Sequence, residues 1–171
     1  MKAMESDVKY GLDVVKVRLV HDNPIRPDCI IDCPQAAIDV LCDELADYDR
    51  EVFCVINVRA DRSIINMNMV SMGTLTASHA GPREVFKSAI LSNASAVILM
   101  HNHPSGNLVP SPSDYDVTKQ LVDCGKLLEI PVMDHIIASG RERGKRYSFM
   151  ENGELGKTYR QVQARQSVME R

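Results

Sequence analysis

The stretch AVILMHNHPSGNLVPSPSD, Ala96 to Asp114, decides how the rest of this chain is read. It opens on an uninterrupted apolar run, the pattern of a central strand covered on both faces, and runs straight into His101-Asn102-His103. Side chains two apart on a strand point the same way, so His101 and His103 aim two imidazoles at one point. Pro104-Ser105-Gly106 reads as a turn. The chain then returns through a Pro-, Gly- and Ser-rich loop to Asp114, eleven residues beyond His103. Two histidines and one carboxylate make a three-ligand set for zinc that leaves a fourth position to water, the pattern of a catalytic site. Such a water ionises near neutral pH and attacks carbonyls. The same residues also spell a helix start, with Ser111 as N-cap, Pro112 at N1 and Asp114 at N3. On the residues alone, Asp114 is either a ligand or a capping acid, and the histidines are either a ligand pair or an incidental surface pair.

Outward from this stretch the chain alternates strands and helices. VVKVRLV (14–20) reads as a first strand, and HDNPIRPDC, with its two prolines, as a loop. PQAAIDVLCDELADY, from Pro34, carries a helical stripe at Ile38, Leu41, Cys42 and Leu45. EVFCVINV (51–58) and SIINMNMVSMG (63–73) flank a polar turn and form an antiparallel hairpin. GPREVFKSAILSN (81–93) is a helix with Val85, Phe86, Ala89 and Ile90 on one face. After the loop, Val117, Leu121, Cys124 and Leu128 share a helical stripe, PVMDHIIAS (131–139) is a strand, and YSFM (147–150) is a short last strand. The tail from Lys157 is polar and weakly helical: a docked helix, a partner-binding segment or a frayed end. The expected architecture is a single mixed α/β domain around one sheet with flanking helices. Its divisions are 1–33 (N-terminal strand and loop), 34–150 (the domain proper) and 151–171 (the tail).

With 171 residues, 44% of them hydrophobic and 25% charged, the chain suits one soluble domain with a full core. A net charge of −3 gives no general attraction to phosphate backbones. No apolar stretch approaches membrane-spanning length, and MKAMESDVKYG lacks the apolar core of a signal peptide; the expected location is the cytoplasm. Five scattered cysteines argue against a disulfide framework. Cys29 and Cys33 are spaced as a metal pair without a second pair, and ordinary reduced thiols are expected. The nine methionines follow apolar positions and are expected as core filler, and His21 and His79 as surface residues. Ser105 has no adjacent base and is not read as a nucleophile. The tripeptide HNH is not the nuclease signature of that name, whose three residues are spread over a longer motif.

The spacing His-x-His, seven residues, Ser, two residues, Asp is met by His101, His103, Ser111 and Asp114. It resembles the signature of the JAMM (JAB/MPN) metalloprotease superfamily. GTLTASHAGPREVFKSAILSNASAVILMHNHPSGNLVPSPSD, followed by VTKQLVDCGKLLEIPVMDHII, is more narrowly similar to the RadC family, over roughly Pro34 to Gly140. The resemblance implies a curved, mixed, cytidine deaminase-like sheet with flanking helices. It implies zinc held by His101, His103 and Asp114 at one sheet edge. It also implies a glutamate general base, which Glu51 matches at the opening of the hairpin strand; Glu84, in a helical first turn where acids are favoured anyway, is the rival. Ser111 would hold the oxyanion of amide or isopeptide hydrolysis. His135, in the DHII block, is either an outer-shell partner of a ligating histidine or a satisfied core residue.

Longer RadC chains carry a helix-hairpin-helix-like region that suggests DNA contact. The residues ahead of Pro34 contain no GxG hairpin between helices, so direct nucleic-acid binding is not expected. Three readings follow: a zinc hydrolase acting on a peptide or protein substrate, a DNA-repair accessory, and a non-catalytic interaction module with zinc as a staple. A homodimer through a sheet edge is a further expectation.

Overall fold

The computed structural model describes residues 18–20, 34–73 and 80–169. Among the described residues nine elements follow one another: α1 (Pro34–Leu45), β1 (Val52–Val58), β2 (Ile64–Met72), α2 (Pro82–Leu91), β3 (Ala96–His103), α3 (Pro112–Leu127), β4 (Val132–Ser139), β5 (Arg146–Ser148) and α4 (Tyr159–Met169). The expected strand at 14–20 lies largely outside the described residues, and its last three residues, 18–20, are exposed and without regular structure. Cys29, Cys33, His21 and His79 also lie outside them.

The strands form one sheet in the order β2-β1-β3-β4-β5. β1 pairs antiparallel with β2 and with β3, and β5 antiparallel with β4; β3 and β4 are parallel. A parallel pair needs a crossover, and α3 supplies it. This is the mixed α/β architecture expected from the sequence.

The apolar run of β3 is covered on both faces because its alternate residues feed two cores. Ala96, Ile98 and Met100 pack with α1 residues Ile38, Leu41, Cys42 and Leu45. Val97 and Leu99 pack with Val85, Phe86 and Ala89 of α2 and with Val117 and Leu121 of α3. At about 25 cal/mol per Å² of apolar surface removed from water, this double burial fixes the register of the central strand. A one-residue slip would exchange the two cores.

Several expectations are corrected at the edges. Ile90 and Leu128 are exposed: each lies near the end of its helix, where the stripe has run past the sheet it covers. The last strand stops at Ser148, and Phe149 and Met150 form a turn whose backbone N–H groups are taken by His135 O and Asp134 Oδ1. Met100 is fully buried, but Met72 and Met150 are half exposed, so the methionines are not uniformly core filler. The tail forms a docked helix at its start, with Val162 buried against Tyr115, Ile137 and Phe149. Among the described residues no helix is long and apolar enough to cross a membrane.

Candidate metal centre

β3 continues three residues beyond its apolar run, so the two histidines stand on strand and not on loop. Being odd-numbered like Val97 and Leu99, they face the layer of α2 and α3. His101 is fully buried and stacks on Phe53 of β1, ring centroids 6.0 Å apart; His103 is partly exposed at the strand's end. A turn then reverses the chain, with Gly106 N–H donating to His103 O and φ at Gly106 of +79°, a conformation that glycine alone takes without strain.

The returning loop delivers Asp114. Its Oδ1 lies 3.3 Å from His101 Nε2 and its Oδ2 3.5 Å from His103 Nε2, while the two Nε2 atoms are 3.0 Å apart. One ligand atom from each residue falls within 4.8 Å of the others. The capping reading of Asp114 is realised, and the same carboxylate also lies where a ligand would have to be. Ser111 N–H donates to Asp114 Oδ2 at 2.6 Å and Ser111 Oγ accepts from Asp114 N–H, a capping box that also starts α3. Ser111 Oγ additionally donates to Oδ2 at 2.7 Å. The cap thus engages Oδ2, which also lies nearest His103, and leaves Oδ1 to His101. Burial opposes ionisation of Asp114, but protonation of the neighbouring His101 and His103 rings, together with the Ser111 hydroxyl, holds its carboxyl far below the usual carboxylate range. The positive end of α3 adds to this.

The ring protons can be placed by following acceptors. His103 Nδ1 lies 2.6 Å from Asn107 O. A carbonyl only accepts, so Nδ1 carries a proton, and in the neutral ring Nε2 presents its lone pair to the centre. Thr118 Oγ1 is close enough to Asp114 O, 2.5 Å, that its hydroxyl proton must lie between them. Thr118 therefore accepts from His135 Nδ1 at 2.6 Å, His135 Nε2 accepts from His101 Nδ1 at 2.8 Å, and His101 Nε2 is left as a lone pair. His135 is fully buried, against Phe149 on one side, and burial holds its pKa well below the ordinary value, so it stays neutral as this chain requires.

Two lone pairs 3.0 Å apart beside a buried carboxylate repel one another unless a cation lies between them. Borderline nitrogen donors with one carboxylate suit zinc and related divalent ions. The donor set fits a metal on chemistry as well as on spacing. Thr118 and Asn102 were not singled out from the sequence. Thr118 carries a signal in retrospect, since it lies one helical turn beyond Asp114 on the same face.

The centre opens into a cleft of about 330 Å³ lined by Glu51, His103, Pro104, Ser105, Asn107, Val109, Ser111, Ser113 and Asp114. Glu51 immediately precedes β1 and is half-buried. Burial lowers the pKa of His103, but the Asp114 carboxylate, Asn107 O and the negative charge of Glu51 together raise it on balance. Glu84, the rival, lies on the surface of α2 and is engaged by Lys87 at 2.6 Å and Arg83 at 3.1 Å. His135 lies directly behind His101, as one of its two sequence readings had it. Ser105 lines the cleft, and its Oγ accepts from Asn107 N–H.

Comparison with known proteins agrees with this architecture. Residues 31–154 match the family model described as the RadC-like JAB domain. A UPF0758 protein of Desulfitobacterium hafniense (strain DSM 10664 / DCB-2) is 38% identical over 135 residues, which cover 79% of this chain and 59% of that one. The UPF0758 protein STH371 of Symbiobacterium thermophilum is 44% identical over 122 residues, 71% of this chain and 51% of its own. The UPF0758 protein tlr1707 of Thermosynechococcus vestitus is 44% identical over 108 residues, 63% and 43% respectively. The chain thus spans about half the length of the curated relatives it matches. With five strands in one mixed sheet, four flanking helices and a His-His-Asp group able to bind a metal, the chain belongs to the RadC-like JAB domain family.

Proposed function

We propose that this domain is a zinc-dependent hydrolase of the JAMM type, cleaving an amide or isopeptide bond in a peptide or protein substrate. The observation that carries the reading is the convergence of two ring nitrogens and one carboxylate oxygen on a point at the wall of an open cleft that Glu51 and Ser111 also line. Bound there by His101, His103 and Asp114, zinc would supply Lewis acidity toward a carbonyl oxygen and a water.

The chain's own groups do the rest. Glu51 is the general base: its carboxylate takes a proton as the water oxygen attacks the amide carbon. The developing oxyanion is met by the Ser111 hydroxyl. In the structure that hydroxyl donates to Asp114 Oδ2, so turning to the substrate exchanges one anionic acceptor for another. Glu51 then returns the proton to the departing nitrogen as the C–N bond breaks, and no covalent enzyme intermediate forms. Phe53, stacked on His101 behind the centre, keeps water from the far side of that imidazole.

The test is metal analysis of the purified protein followed by peptidase profiling with and without chelator. One zinc per chain is expected, lost in His103→Ala and Asp114→Ala; full zinc content in both variants overturns the assignment. Glu51→Gln still binds zinc, with reduced affinity, and loses hydrolysis. A non-catalytic zinc staple is distinguished by chelation, which would then unfold the domain outright.

A further inference from the structure

The residue between the two histidines faces away from the metal centre. Asn102 is fully buried on the opposite side of β3, yet it reaches the strand that carries Glu51. Its Oδ1 accepts from Val52 N–H at 2.7 Å, and its Nδ2 donates to Arg50 O at 3.1 Å. These two backbone groups flank Glu51 and lie on one edge of its strand. One residue of a parallel strand bonds its neighbour in this way, through the carbonyl before and the amide after the residue opposite. The side-chain amide of Asn102 replaces such a residue where the β1–β3 register, which runs from Val58↔Ala96 to Phe53↔His101, ends. On the other edge, Gly73 N–H donates to Glu51 O at 2.8 Å. Three hydrogen bonds therefore hold the backbone around Glu51.

We infer that Asn102 is a positioning residue for Glu51: by clamping residues 50–52 it holds the carboxylate at the mouth of the metal cleft. This rests on reading the site as a hydrolytic metal centre with Glu51 as base. It explains why the residue between the ligands is neither apolar, like every β3 residue before His101, nor charged. An amide has one acceptor and a donor in a fixed plane, which is what a backbone carbonyl and a backbone N–H separated by one residue demand. Beyond the last register pair, Phe53↔His101, the two strands stay joined through Asn102, so a ligand strand and a base strand are locked together by the residue between the ligands.

The test uses zinc itself as probe, with the Asn102→Leu, Glu51→Gln and double variants. Zinc affinity is read by chelator competition, and backbone amide exchange is read over residues 50–53. Removing the Glu51 charge beside the cation is expected to weaken zinc about 10-fold, the lower end for groups around a metal's ligands. Asn102→Leu is expected to give a similar loss, and no further loss in the Glu51→Gln background. Exchange at Val52 should accelerate at least tenfold. Asn102→Asp keeps the acceptor for Val52 N–H while losing the donor to Arg50 O, so it should retain part of the protection, which guards against a leucine variant that merely folds poorly. Zinc losses that add in the double variant, or unchanged exchange at Val52, overturn the clamp. Absence of hydrolysis in the wild type, with a non-additive zinc cycle, overturns the hydrolase reading and leaves the clamp standing.

Discussion

Thr118→Val is the sharpest perturbation of the candidate metal centre, because it changes one hydroxyl to a methyl at a fully buried site and alters none of the three donor side chains. In the wild type the Thr118 proton is committed to Asp114 O, and this fixes the direction of every proton behind it through His135 to His101. With valine, His135 Nδ1–H has no acceptor. An unsatisfied buried donor costs about 1–3 kcal/mol. At about 2–4 °C per kcal/mol for a domain of this size, that lowers the melting midpoint by roughly 2–12 °C. Part of this strain is relieved if His135 moves its proton to Nε2, because an unpaired lone pair is tolerated better than an unpaired N–H. His135 then donates to His101 Nδ1, and the His101 proton moves to Nε2, the atom proposed to bind zinc. Zinc binding has to reverse that shift. The expected loss of affinity is about 10- to 100-fold, as for other outer-shell partners of ligating histidines. The assay is chelator competition for zinc, with nitrogen-15 NMR of the histidine rings in the metal-free protein. The variant should show His135 protonated at Nε2, and Thr118→Ser should restore both readouts. Zinc affinity within twofold of wild type, with His135 still protonated at Nδ1, would refute the proton chain.

Other outcomes follow from the same coordinates. In Gly140→Ala a new Cβ would meet Pro104 Cα at 2.6 Å and His103 O at 2.7 Å, both backbone; a loss of about 1–3 kcal/mol is expected from overpacking, and chemical denaturation at an unaltered wild-type midpoint would contradict it. Ser111→Ala removes the capping side chain of α3 and should cost about 1 kcal/mol in equilibrium unfolding, with a fall in hydrolysis as well if the hydroxyl serves the oxyanion. Cys54 is buried and its thiol is pushed up to about 12 by desolvation, so it should stay unmodified by iodoacetamide at pH 8 in the native protein, as read by peptide mass spectrometry. Labelling there at the rate of an unfolded control would show that β1 opens.

How much of this was legible in the sequence differs from element to element. The central strand, the hairpin and the helices from Pro34, Pro82 and Pro112 were readable because hydrophobic periodicity and proline placement are local signals. Where the stripe outran its helix, at Ile90 and Leu128, periodicity alone could not show where the covering sheet ends. The three candidate metal donors were legible as a spacing, since strand alternation pairs His101 with His103 and the Ser-Pro-Ser-Asp helix start returns a carboxylate. Glu51 was reached through resemblance only, because no local pattern joins a residue to a partner fifty positions away.

The sequence by itself determined the alternation that separates two imidazoles from one amide on β3, the capping box at α3, and the order of strands and helices. All three depend on neighbours within about one turn or one pleat. The tertiary structure alone decided that the Asp114 carboxylate both caps α3 and lies against the two imidazoles, with Oδ2 bonded to Ser111 and near His103 and Oδ1 near His101. It also decided that His135 and Thr118 complete a proton chain ending at the backbone of Asp114, and that Asn102 grips the strand of Glu51. Hydrogen bonds are directional and short, so which donors meet which acceptors is settled only when the sheet register and the α3 crossover bring distant residues within 3 Å of one another.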